Sequence, residues 1–177
     1  MTGLRFSLIA FCCIWLSAGF ALAQKDSDKV YRRGGAKTED GVINAMTKID
    51  LTIAVGGSDV KISANEITRI SCAEEPKEMT AVRTDVAQGN FNSALTALKN
   101  VNMKEIGRDV ATQEVEFYKA FCAAKVAMSD GGDKEAAEKG LKAFLSNYKE
   151  SFHYYPVAHL GGEVAASAGN FASATLF

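Results

Sequence analysis

His153 and His159, with Cys72 and Cys122 further up the chain, are the side chains best suited to metal or nucleophilic chemistry. Their spacing argues against both. On one helix the two histidines would be about 600° apart, or about 120° from facing together, so they cannot clamp an ion as an i, i+4 pair does. A zinc site using all four side chains would have to gather four distant segments, and the cysteines have no metal-ligand spacing. Both histidines therefore read as ordinary surface or groove residues. Carboxylates cluster at Glu74, Glu75 and Glu78, and again at Glu135 and Glu138. Acidic residues near a helix start complement its dipole, and Glu135 with Lys139 has the spacing of a solvent-facing i, i+4 pair. Tyr31-Arg32-Arg33 is a short basic-aromatic cluster that an exposed strand end explains. The chain has no glycine-rich phosphate loop, no Gly-x-Ser-x-Gly elbow and no His-Glu-x-x-His helix, each of which fixes reacting groups at set angles. The expectation is a non-enzyme with no cofactor, no metal and no catalytic residues.

The elements that must position these residues begin after a leader. Met1 to Ala23 carries one early cation, Arg5, then an apolar run from Leu8 to Phe20, and ends in Ala21-Leu22-Ala23 before the polar Gln24. That is the pattern of a secretory signal peptide, with cleavage expected after Ala23 and a mature chain beginning at Gln24. A run of about a dozen apolar residues is short against the ~20 a bilayer core requires, so no stable membrane span is expected after cleavage. Phe11 precedes Cys12 where a lipoprotein signal needs a small residue, which argues against lipidation. The expected address is exported, periplasmic or extracellular. In such a compartment Cys72 and Cys122 can pair, yet each also reads as a small buried residue, and two unpaired thiols are the favoured reading. The 177 residues carry 20 Lys plus Arg against 21 Asp plus Glu, a net charge of −1. That balance lacks the cationic excess by which nucleic-acid binders release counterions, so nucleic acid is not an expected partner.

Residues 24–73 are expected to form a small β-rich module, since from Lys29 to Cys72 the pattern has a period of two. Ile49, Leu51, Ile53 and Val55 alternate with Asp50, Thr52 and Ala54, and Val60 and Ile62 continue the pattern after Gly56-Gly57-Ser58-Asp59. Two alternating runs about a glycine turn predict a β-hairpin. Further strands are expected at Lys29 to Arg33, Gly41 to Met46 and Thr68 to Cys72. Five short strands are too few for a two-sheet sandwich, so the expectation is a small barrel-like module burying Val42, Leu51, Ile53, Ile62 and Ile67.

Beyond Pro76 the period becomes helical. Phe91, Ala94, Leu95, Leu98 and Val101 recur at three and four residues, as do Phe117, Phe121, Ala124 and Met128, and Ala137, Leu141, Phe144, Leu145 and Tyr148. Gly89-Asn90, Asp130-Gly131-Gly132-Asp133 and Gly169-Asn170 stand between these runs as breakers, so residues 74–177 are expected to form antiparallel helix pairs. The fold class is α+β.

Gly89, Gly132 and Gly169 each precede an alanine by five residues, at Ala94, Ala137 and Ala174, with Phe91 and Phe171 between in two cases. The alanines are spaced 43 and 37 residues apart. This resembles the tetratricopeptide repeat, whose second helix opens on glycine, aromatic and alanine at these offsets over a basic period of 34. Leu98 and Leu141 match its large apolar position, and Phe121, Ala124 and Met128 match the first helix of the middle unit. Departures are Lys134 in place of the aromatic, Glu78 and Asp85 at first-helix core offsets, and no closing proline. Together with Asp28-Lys29-Val30-Tyr31 and the stretch Ala64 to Ile70, the arrangement is also similar to exported repeat proteins of planctomycete-type bacteria, where a small β module precedes such helices. The resemblance implies a scaffold or adaptor for protein partners of the cell envelope. Its groove would be lined at the repeat offsets by Arg83, Lys119, Cys122, His159 and Glu163. The alternative is an envelope polysaccharide-binding or enzyme-accessory protein acting through the β module.

Gly169-Asn170-Phe171 opens the second helix of a third hairpin, and Phe177 follows after about two turns, short of the polar capping helix that closes such arrays. Ala165, Phe171, Ala174, Leu176 and Phe177 would then form an apolar end. The expectation is a longer parent chain or self-association through that end.

Overall fold

A computed structural model describes residues 27–35, 38–129 and 132–177. The expected signal peptide and the cleavage at Gln24 lie outside them. Five strands come first: β1 (Asp28–Arg32), β2 (Glu39–Met46), β3 (Asp50–Val55), β4 (Ser58–Ser63) and β5 (Ile67–Ser71). All neighbours are antiparallel, in the order β4-β3-β2-β1-β5. The hairpin turn is tighter than expected. Gly56 and Gly57 alone form it, with φ of 58° and 86°, so Ser58 and Asp59 already belong to β4.

Strand β2 changes partners along its length. Residues 39–41 pair with β1, and Val42 to Met46 pair with β3 across a register shift between Ile43 and Ala45. At the changeover a Cβ on Gly41 would lie 1.9 Å from the carbonyl oxygen of Ala54, so the close backbone approach admits only glycine. β4 and β5 are the sheet edges although one short turn, Ala64–Glu66, joins them. A flat sheet would separate these edges by about 19 Å, and such a link spans at most about 14 Å. The sheet is therefore bent, but its edges do not pair and no closed barrel forms.

What replaces closure is cover from the helices. Val30, Leu51, Ile53, Ile62, Ile67 and Ile70 form the inner face, and Ala111 and Phe152 from the helical region complete their core. The expected burial of Val42 is not observed; it is half exposed, on the outer face of β2, while its neighbour Ile43 turns towards the core. The period of two switches to a helical one where expected, but the core crosses that boundary.

The helices are α1 (Glu78–Ala87), α2 (Phe91–Lys99), α3 (Asp109–Ser129), α4 (Lys134–Asn147), α5 (Tyr154–Ser167) and the short α6 (Phe171–Ala174). Each packs against the next, and α3 also touches α1 and α5. Ala94 and Ala137 are buried where helices meet, beside Leu98 and Leu141. The turns before α2 and α6 have the same construction. Gly89 and Gly169 take φ of 78° and 76°, and the amides of Asn90 and Asn170 donate to Asp85 and Ala165 at 2.8 and 2.9 Å. Both are glycine-terminated helix ends in which the following amide returns to the last turn. The sequence at both is Gly-Asn-Phe-x-Ser-Ala. Among exposed pairs, Lys142 binds Glu138 at 2.6 Å. Among the described residues no helix is long and apolar enough to cross a membrane.

Candidate functional site

Sheet and helices are joined by buried ions. Asp28 on β1 is fully buried and accepts hydrogen bonds from the amides of Ile43 and Ala73, both at 2.7 Å, and from both terminal nitrogens of Arg108. Burial by itself would raise its carboxyl, but these donors and the Arg108 charge hold it below the usual carboxylate range. A second joint follows β5. Glu75 accepts from the Cys72 amide at 2.9 Å and the Ser71 hydroxyl at 3.0 Å, and holds Arg83 of α1 through two bonds of 2.6 Å.

Arg83 faces the ring of Tyr118, its guanidinium 5.9 Å from the centroid. Burial first, then the Glu114 charge, push the Tyr118 phenol up to about 12. Glu114 itself is buried on α3, one turn earlier, and its Oε1 lies 2.6 Å from Nε2 of His153. Its Oε2 has no hydrogen-bond partner among the described residues.

His153 is placed by a turn between α4 and α5. The buried Ser151 accepts from the His153 amide through Oγ, which orients Phe152 into the sheet core and the imidazole against α3. The imidazole stacks on Phe117 with centroids 3.5 Å apart and planes 5° from parallel, and it also contacts Phe152. These rings wall one side of a 610 Å³ cleft between β4, β5 and the helices. Ser63, Ala64, Asn65 and Thr68 line the sheet side, and Arg33, Lys48, Tyr155 and Pro156 are also in its lining.

The five groove residues expected from the repeat register do not form one surface. Arg83 is buried and occupied by Glu75, and Cys122 is fully buried among Met79, Ala94 and Leu98. Neither offers a face to a partner. Lys119 is partly exposed on α3 and pairs with Glu116 at 2.9 Å. His159 and Glu163 do come together on α5, 3.4 Å apart, with the imidazole 79% exposed. Of the two histidines read as surface or groove residues, His159 lies on the surface and His153 is buried in the cleft wall.

Cys72 and Cys122 are both free and buried, in separate cores. Burial pushes the Cys122 thiol up to about 12, with Asp85 adding to the shift, and raises Cys72 further. Among the described residues no cluster of three ligating side chains could hold a metal ion.

The pairing of Glu114 with the cleft residue His153 escaped sequence reasoning because the two are 39 positions apart. One signal was present. Glu114 falls on the stripe of Ala111, Val115 and Tyr118 at helical spacing, so a carboxylate occupies the buried face of α3. A carboxylate in that position needs a partner. Comparison with family models, with curated proteins and with solved structures found no match for this chain.

Proposed function

We propose that the chain is an exported, non-enzymatic adaptor that binds protein partners of the cell envelope through a tetratricopeptide-like array of helical hairpins. A small barrel-like sheet packs at its first-helix side. The observation that carries this reading is the repetition of one turn. Gly-Asn-Phe-x-Ser-Ala recurs before α2 and α6 with the same glycine conformation and the same return hydrogen bond. Such recurrence supports a repeated helix-turn-helix unit, and the contacts of α3 with both α1 and α5 fit first helices stacked in series.

The recognition surface is moved from the expected five residues to the outer side of α5. Tyr155, His159 and Glu163 recur there every four residues, and Ala158, Gly162, Ala166 and Phe177 form a shallow depression beside the last two. Partner proteins would lie along this stripe. The deciding experiment is capture from envelope extract with the exported protein beside a His159→Asp, Glu163→Lys double variant. Loss of specific partners from the variant supports the adaptor; an unchanged partner set removes the α5 stripe from the reading.

A further inference from the structure

We propose that the cleft between the sheet and helices α3 and α5 binds a small anionic ligand with a flat apolar body, of the chemical class of aromatic carboxylates and sulfonates. Its 610 Å³ falls within the roughly 300–1,000 Å³ of small-molecule sites.

The aromatic wall is already assembled. Phe117 and His153 are stacked face to face, Glu114 fixes the imidazole from behind, and Phe152 is held by the sheet core. A planar ligand would order few side chains on binding, which lowers the entropic cost. The sheet side supplies hydroxyl and amide groups from Ser63, Asn65 and Thr68 for orientation.

The charge pattern selects the sign of the ligand. Among the described residues Arg33 and Lys48 line the cleft and no carboxylate does. Elsewhere Arg32, Arg83, Arg108 and Lys61 are each matched by a carboxylate. Lys48 instead rests over the ring of Tyr154 at 3.9 Å, which holds the ammonium in place without neutralising it. Glu114, a buried carboxyl group bonded to the imidazole, is not part of the lining, where two cations stand. The inference does not rest on partner binding: the cleft lining shares Tyr155 with the α5 stripe, but His159 and Glu163, the residues that test the stripe, lie outside it.

The test is fluorescence titration of the purified exported protein with 1-anilinonaphthalene-8-sulfonate, beside N-phenyl-1-naphthylamine, which has the same rings and no charge. Expected is saturable binding of the sulfonate at one per chain, weakened at least about tenfold by Arg33→Glu with Lys48→Glu, while the uncharged dye changes less than about twofold. The milder Arg33→Gln, Lys48→Gln pair should give an intermediate loss. The proposal is overturned if the sulfonate binds at several sites per chain, if reversal leaves its affinity within about twofold, or if both dyes weaken equally.

Discussion

Asp28 and Arg108 stand 80 residues apart and form a two-pronged ion pair of 2.5 and 2.8 Å across the junction of sheet and helices. The carboxylate also terminates two backbone amides, one from β2 and one from the segment leaving β5. A single side chain therefore fixes three parts of the fold. Removing the fully buried Asp28 leaves two backbone amides without their acceptor and the partly exposed Arg108 without its partner.

Asp28→Ala should accordingly destabilise the protein by about 3–5 kcal/mol, seen as a lower urea midpoint. The pH dependence follows from the lowered carboxyl. Unfolded, Asp28 titrates near 3.9; folded, it titrates lower, so its stabilisation is complete above the unfolded value and is lost as pH falls through the folded one. Between about pH 5 and the acid transition the parent should lose stability more steeply than Asp28→Asn, which has no proton to gain there.

Gly41→Ala should be among the most damaging single-atom additions in the chain. Its Cβ would meet backbone, the Ala54 carbonyl, which cannot rotate away. A cost above about 3 kcal/mol is expected in thermal melts, against less than about 0.5 kcal/mol for Gly107→Ala, where nothing lies within 4 Å.

This glycine also shows why part of the fold was legible and part was not. Leu51 and Ile53 alternate with polar neighbours because one face of β3 is buried, so hairpin and strand direction follow from local pattern. Gly89 and Gly169 announce the turns because the chain there needs positive φ. Gly41 has ordinary φ, and its requirement comes from a strand that is contiguous only in space. The open sheet was not legible for a similar reason: Ala111 on α3 and Phe152 in the turn before α5, which cover it, have nothing local to mark them as β-core residues. The cleft was hidden in the same way, since His153 gains its neighbours from α3.

Both thiols should be silent in the native protein. Burial raises the pKa of Cys72 and Cys122, so neither supplies thiolate to an aromatic disulfide reagent at neutral pH. Denatured without reductant, a chain beginning at Gln24 should release two equivalents, as free Cys72 and Cys122 require. Release of none would show that the two had paired.

The buried Glu114 and His153 should behave as a unit. Glu114→Ala removes the bond at 2.6 Å and leaves the imidazole without its fixed partner in an apolar wall. A loss of about 2–4 kcal/mol is expected, with His153→Ala of similar size because Phe117 also loses its stacked ring. In a double-mutant cycle the two losses should fall short of additive by at least about 1 kcal/mol. Strict additivity would mean that each side chain is held by its other neighbours and that the wall of the cleft does not depend on their contact.

The end of the helical region makes the last prediction. Phe177 packs its ring on α5 so closely that a Cβ at Gly161 would lie 2.2 Å from it, which helps hold the short α6, whose buried Ser173 also bonds Glu138 and Lys142 of α4. Phe171 and Leu176, by contrast, are 70% and 80% exposed within a few residues of each other. Exposed apolar side chains on a four-residue helix and in the turn just after it favour covering by another copy. Light scattering should therefore show association that grows with protein concentration and is reduced by Phe171→Ser with Leu176→Ser. Phe177→Ala should act differently, releasing α6 and speeding amide exchange over Phe171 to Leu176 while α5 stays protected. Equal association by the parent and the double serine variant would place the contact elsewhere on the surface.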